Sequence, residues 1–291
     1  MPDVGGVNDN EHPAIAKCGR LELEFARAPS GRTYIGRQFY SYPFHICRPF
    51  NLDDGPCEGM ATVYTQSCSG GLYGLDRLVM NMTVREGAQA HLTTQASTIV
   101  HRATDGMTEQ FCNIAAEAGA LVEYLPDPTI LFPGANLKSS VRLTLADSAS
   151  AILFDSFMAH DYEGGSKTFA LFENSVSICR PSSAPIAIDR FRVTGEEFAR
   201  GGVGIAGGFA CHGGVLAVTP GIDADALIGN LRRTVGALSP CAIGFSRLPR
   251  VNGVSARILA PDAVPMRKAM LEIWRQFRTA VTGVEPRPRR K

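Results

Sequence analysis

Asp155 stands in the run Ala151-Ile152-Leu153-Phe154-Asp155-Ser156-Phe157. A carboxylate among such neighbours is costly to bury unless it is paired or lines a wet channel; the plainer alternative is that strand alternation turns it to solvent. A few residues on, His160, Asp161 and Glu163 crowd possible ligands onto a glycine-bearing turn, where acids are usually just solvated. Two acids such as Asp155 and Glu163 would also suit a hydrolase or lyase acting on glycans. Asp76 ends the corner Gly70-Gly71-Leu72-Tyr73-Gly74-Leu75-Asp76, where a short carboxylate caps local amides. Cys211-His212 has the composition of a nucleophile with its base, or of soft metal ligands. Catalysis needs an oriented third group, so a buried thiol beside an incidental histidine is the simpler reading. Gly201, Gly202, Gly204, Gly207 and Gly208 lack the lysine and hydroxyl residue of a phosphate loop. Glu123, just before Tyr124-Leu125-Pro126, reads as a strand-end surface acid. Thr93, Thr94 and Thr98 could line a polar passage, although β preference alone accounts for them.

The elements that must hold these residues are mostly strands. Leu78, Met80, Met82 and Val84 alternate with Arg77, Asn81 and Arg85 at period two, which gives one apolar face. Arg85 to Ala88 is a turn, and extended character resumes from His91 to Val100. Turn signals recur about every dozen residues, with short β-rich runs between them, including 62–66, 121–125, 141–145, 152–157, 168–178 and 185–193. No repeat of fixed period is visible. Helical periodicity comes late, over about 223–236 and 265–282. The second of these carries Met270, Leu271, Trp274, Phe277 and Val281 on one stripe, which suits packing against the body or, where exposed, a partner. Two strands, about 241–247 and 254–259, are expected between the helices. The expected organisation is a disordered lead-in over 1–17, a β body over 18–220, a helix-strand-strand-helix extension over 221–283 and a solvated basic tail over 284–291.

With 291 residues, 45% apolar and 20% charged, the chain has the composition of an ordinary globular protein. A formal net charge of +1 gives no global pull toward nucleic acid or an anionic membrane. No apolar run reaches the ~18 residues of a spanning helix, and the first residues lack the charge and apolar pattern of a secretion signal. Eight cysteines without a CxxC spacing read as reduced thiols, so a cytoplasmic location is expected.

The ordered set Gly19-Arg20-Leu21-Glu22-Leu23, Gly70-Gly71-Leu72 with Asp76, Thr93-Thr94-Gln95-Ala96-Ser97-Thr98, and Glu123-Tyr124-Leu125-Pro126-Asp127-Pro128 with Ile130, Phe132, Gly134 and Ala135 resembles the UreD (UreH) type of urease accessory protein. The segments 155–169 and 266–275 are similar as well, so the resemblance covers most of the chain. Two departures stand out: Leu75 takes the place before the acid where glycine is common, and His160, Asp161 and Glu163 replace a glycine-arginine and glycine-glutamate pattern.

The resemblance implies a mainly β, two-layered β-helical body with late α-helices, and a scaffold without turnover of its own. It implies binding to apo-urease and to UreF-type and UreG-type partners, with no nucleic acid or membrane partner. It also implies no tightly bound cofactor and a passage for nickel in transit. Such a passage needs loosely held oxygen or imidazole ligands, because a carrier that grips nickel too tightly cannot release it. Asp76, Asp155, His160, Asp161 and Glu163 are the candidates for that route, and Thr93, Thr94, Glu123 and Trp274 for its lining or for partner contact.

Overall fold

The computed structural model describes residues 16–181, 183–202, 204–238 and 240–289; the expected lead-in therefore lies outside the described residues except for Ala16 and Lys17. In chain order the strands are β1 (Cys18–Arg27), β2 (Thr33–Tyr40), β3 (Phe44–Ile46), β4 (Ala61–Ser67), β5 (Arg77–Val84), β6 (Gln89–Thr94), β7 (Ile99–Val100), β8 (Thr108–Ala116) and β9 (Leu121–Leu125). They continue with β10 (Thr129–Leu131), β11 (Asn136–Leu145), β12 (Ser150–Ala159), β13 (Leu171–Cys179), β14 (Pro185–Thr194) and β15 (Cys211–Val218), then β16 (Ala242–Arg247) and β17 (Gly253–Ala260). The helices are α1 (Gly195–Ala199), α2 (Ala224–Thr234) and α3 (Ala263–Thr282).

Two sheets face each other. One runs β14-β13-β11-β8-β5-β1-β2, the other β16-β17-β15-β12-β9-β6-β4-β3. The chain passes repeatedly from one to the other: β4 leads to β5 opposite, β5 to β6, and so on to β13, with β7 and β10 added on the side of the second sheet. Neighbours within a sheet are consequently parallel through the middle, β1-β5-β8-β11-β13 and β4-β6-β9-β12, with antiparallel pairs at the ends. This is a two-layered β-helix, as the sequence resemblance implied. β5 and β6, adjacent in sequence, do not pair with each other, because Arg85–Ala88 carries the chain between layers.

The two long edges of the coil are built differently. On one, tight turns superpose: Ala88, Ala120 and Ala149 each donate a backbone hydrogen bond to the residue three before, and all three are buried. Gly87 and Gly119 supply the left-handed conformation there, with φ of 63° and 66°. Arg85-Glu86-Gly87-Ala88, Glu117-Ala118-Gly119-Ala120 and Ala146-Asp147-Ser148-Ala149 thus form a structural repeat of unequal spacing. The other edge is made of long loops holding β7 and β10. Rings stack along it from coil to coil: Tyr73 on His101 at 4.4 Å, His101 on Phe132 at 5.3 Å and Phe132 on Tyr162 at 4.7 Å. The His101 ring lies 2.7 Å from where a Cβ on Gly71 would sit, so only glycine fits that corner. Leu75 takes a left-handed φ of 68°, which explains why glycine suits its place.

Leu23, Met82, Ile114, Leu143, Leu153 and Ile178 fill the space between the sheets. The outer face of the second sheet is covered by α2 and α3, which bury Ile152, Phe154, Val215 and Ile258 against Leu231, Ile273, Trp274 and Phe277. β12 is covered on both sides, which accounts for its nearly continuous apolar run. Asp223 and Asp262 accept backbone N–H bonds at the starts of α2 and α3, and Gly283 ends α3 with a φ of 77°.

Candidate functional site

Odd-numbered residues of β12 face the opposite sheet, so Asp155 points between the layers with Leu153 and Phe157 rather than to solvent. Asn174 Nδ2 on β13 donates to its carboxylate. Directly across from it on β15 is Gly214, and beyond that Arg257 on β17. Gly214 leaves the space open: Oδ2 of Asp155 and of Asp189 lie 3.9 and 3.8 Å from the position its Cβ would take. Arg257 bridges Asp189 and, at 3.2 Å, Nε2 of His212, whose ring packs on Phe157 and Phe191.

Burial, reinforced by the charge of Asp189, raises the Asp155 pKa to about 7; Arg257 and Asn174 offset only part of this. Burial and Arg257 take His212 down to about 4, so it is neutral. Asn174 Oδ1 and His212 Nδ1 are buried without a hydrogen-bond partner. Asp189 and the His212 imidazole thus meet at one guanidinium, with Asp155 and its Asn174 partner beside them.

Asp155 also lines a cavity of about 310 Å³ between the sheets, together with Thr94, Thr98, Ser139, Gln110, Cys112 and Tyr124. The cavity reaches the glycine corner at Gly70 and Gly71. Thr94 Oγ1 accepts from Asp127 N–H at 2.9 Å, and Thr93, buried, donates to Leu125 O at 2.7 Å. Thr94 is therefore at the cavity wall, whereas Thr93 braces the strand beside it. Among the described residues no three His, Cys, Asp or Glu side chains gather closely enough for a fixed metal site.

The other candidate acids sit apart from this cluster. Asp76 is buried and engaged, accepting from Lys17 N at 2.7 Å and Tyr73 N at 2.8 Å and pairing with Lys17 Nζ at 2.6 Å. It ties the start of β1 to the glycine corner. Asp161 accepts the backbone N–H groups of Glu163 and Lys167, and these bonds hold its pKa down. Glu163 pairs with the Lys167 ammonium on the same exposed turn. The turn keeps its acids outside while Asp155 lies within, so Asp155 and Glu163 do not face each other as a pair. Cys211 and His212 do not form a dyad either, since Cys211 packs toward the helices and His212 toward the opposite sheet.

Glu123 differs most from expectation, and of the two readings of Trp274 the packing one holds. Glu123 is not a surface acid: it is fully buried and receives Arg278 Nε and Nη2, each at 2.6 Å, and His91 Nδ1 at 2.7 Å. Burial alone would raise its pKa; Arg278 and His91 more than reverse that and bring it to about 2. Burial lowers His91 to about 4, so the neutral ring donates from Nδ1. Arg278 also faces Asp53 at 3.3 Å, and Asp53 is paired with Arg289 at 2.7 Å. The described part of the basic tail, 284–289, is thereby fastened, with Arg287 donating to Asp53 and Asp54, and is not the solvated end its composition suggests. Trp274 is 3% exposed, under the guanidinium groups of Arg278 and Arg289, and offers no surface to a partner.

Sequence reasoning missed Asn174, Asp189, His212's inward role and Arg257 at one cluster, and Asp53, His91, Arg278 and Arg289 at the other. The usable signal was the pair Gly213-Gly214 ahead of an apolar run, which marks a close approach inside a sheet.

The profile of the family described as UreD urease accessory protein matches residues 17–291. Among named relatives, Urease accessory protein UreD 1 of Pseudomonas syringae pv. syringae is 36% identical over 269 residues, covering 92% of this chain and 94% of the relative. Urease accessory protein UreD 1 of Methylorubrum populi is 36% identical over 282 residues, covering 96% and 95%. Urease accessory protein UreD 2 of Streptomyces griseus is 32% identical over 288 residues, covering 97% of each.

Proposed function

The chain belongs to the UreD urease accessory protein family and serves urease maturation; from that premise we propose that it is a non-catalytic cytoplasmic scaffold that binds apo-urease with UreF-type and UreG-type partners and passes nickel between its two sheets. The observation that carries the passage is Asp155: an inward acid on a cavity wall, close to Asp189, with its charge only partly compensated. Oxygen and imidazole donors without a closed coordination shell suit an ion that must move on. The Arg257 guanidinium pairs with Asp189 and through its charge offsets part of that of Asp155. Asp76, Asp161 and Glu163 are already engaged by Lys17, by backbone amides and by Lys167, so the route runs through Asp155, with Thr94 on the wall. His160, beside Phe132 on the outer turn, would meet the ion only at the rim.

The test is reconstitution of apo-urease activation from purified components with Asp155→Asn. The expected result is assembly of the complex at wild-type affinity, with nickel content and urease activity of the product reduced at least about tenfold, equivalent to roughly 1.4 kcal/mol. Full nickel loading by the variant would reject the passage and leave the scaffold role intact. Loss of assembly with the wild-type chain would reject the scaffold itself.

A further inference from the structure

One end of the β-helix is closed by β2 and β3, the edge strands of the two sheets. Natural edge strands are usually short, charged or covered. β2 is neither short nor covered: it runs for 8 residues, carries a single charge at Arg37, and its positions from Gly36 to Tyr40 are all exposed. Of the 12 large apolar side chains exposed among the described residues, five lie here: Tyr34, Phe39, Tyr40, Tyr42 and Phe50, each between 40% and 59% exposed. Of the other seven, Tyr73, Leu75 and Tyr162 lie along the loop edge and four lie elsewhere, so this end carries the densest group.

Charge separates it too. Residues 26–52 contain Arg27, Arg32, Arg37 and Arg48, all exposed, and no Asp or Glu, in a chain whose net charge is +1. Aromatic side chains interleaved with arginine are the composition of energetically dominant contacts in protein interfaces.

The backbone adds a third element. Ser41 N–H donates to Arg20 O on β1, and in an antiparallel pair the hydrogen-bonded residues alternate. With Leu21 opposite Tyr40 and Leu23 opposite Gln38, the N–H groups of Gln38 and Tyr40 point away from β1, to the open side.

We propose that this end of the β-helix is a docking surface for an extended, acidic segment of another protein of the maturation complex, which adds to β2 as a strand and seats its side chains among Tyr34, Phe39 and Tyr42. The inference rests on the maturation role for the existence of such a partner, and on β2 itself for the place and mode of binding. An extended polypeptide brings both donors and acceptors to the outward C=O and N–H groups of an edge strand, whereas phosphates bring acceptors alone, and its acids answer Arg32 and Arg48; Arg37 also faces Glu22 at 3.8 Å.

The test uses the full chain with purified cognate apo-urease and each purified accessory protein in turn, and measures Kd at two salt concentrations. Two variants are compared with wild type. Arg37→Glu with Arg48→Glu reverses the charge. Gln38→Pro removes only an outward donor, which an edge strand tolerates, and an unchanged urea midpoint shows that it still folds. The expected result is that one partner binds, that each variant weakens it at least about tenfold, and that a photo-cross-linker replacing Tyr42 attaches to an acidic stretch of that partner. Unchanged binding by both variants overturns the proposal while the maturation role stands. A cross-link into a second copy of this chain, into residues 1–15, or into RNA or anionic vesicles in preference to protein also overturns it. Failure of the wild-type chain to bind any of these proteins removes the maturation role, and the proposal with it.

Discussion

Glu123 and Asp155 are inward or covered acids on neighbouring strands of one sheet, yet their surroundings take them in opposite directions. Glu123 meets a guanidinium with two bonds and an imidazole with a third, and its carboxylate is held ionised down to a pKa of about 2. Asp155 shares its one nearby guanidinium with Asp189 and is raised to about 7. Burial penalises both charges, so the number and placement of compensating groups decides the outcome. The first cluster fastens α3 and the tail to the β-helix. The second keeps a poorly neutralised carboxylate at a cavity, which is a use for charge rather than for stability.

Breaking the first cluster has the largest expected effect. Arg278→Met leaves Glu123 buried with only the neutral His91 ring donating to it, and the urea-unfolding free energy should fall by about 3–5 kcal/mol. Arg278→Met combined with Glu123→Leu should recover most of that, because the paired cluster gains little over apolar packing; no recovery would mean the helix depends on the charges themselves. Arg289→Ala should come next, at about 2 kcal/mol, the worth of hydrogen bonds to a charged group. If it proves neutral, the tail is not fastened in solution.

The pH dependence sharpens the contrast through its sign. Glu123 binds its proton less readily folded than at its ordinary value of 4.5, so its stabilisation is present above that pH and is lost as pH falls toward about 2. Asp155 binds its proton more readily folded than at its ordinary 3.8, so its contribution runs the other way: stability is lost as pH rises from about 4 to about 7. Urea midpoints of wild type and Asp155→Asn across that range should differ in slope, the variant losing the decline; parallel curves would show that Asp155 is not raised. The smallest effect belongs to Glu163→Gln. Its exposed pair with Lys167 should leave the midpoint where it was, and a clear loss would mean the turn is more buried than it stands here.

Much of the fold was legible along the chain. β5 alternates as written, 185–193 pairs with the strand before it, and the two late helices fall within two residues of their expected bounds. The coil repeat was not legible, because Arg85–Ala88, Glu117–Ala120 and Ala146–Ala149 share a shape and a final alanine, while the loops opposite them vary in length. Similar backbone demands recur without similar side chains, and a fixed period never appears. At the site, the suspicion that an acid amid Leu153, Phe154 and Phe157 is costly to bury located Asp155. Its companions could not be read, since Asn174, Asp189 and Arg257 arrive from three other strands.

The order of apolar and turn residues was enough to determine a β body with strands of known face, a wrapped core and two helices at the end. Tertiary structure alone decided what each enclosed acid would be. Glu123 and Arg278 are 155 positions apart, and alternation says only that a side chain points inward, never what it will meet there. A buried charge is stabilised or left wanting by groups within a few ångströms in space, and the β-helix sets those distances by stacking coils that the sequence writes far apart.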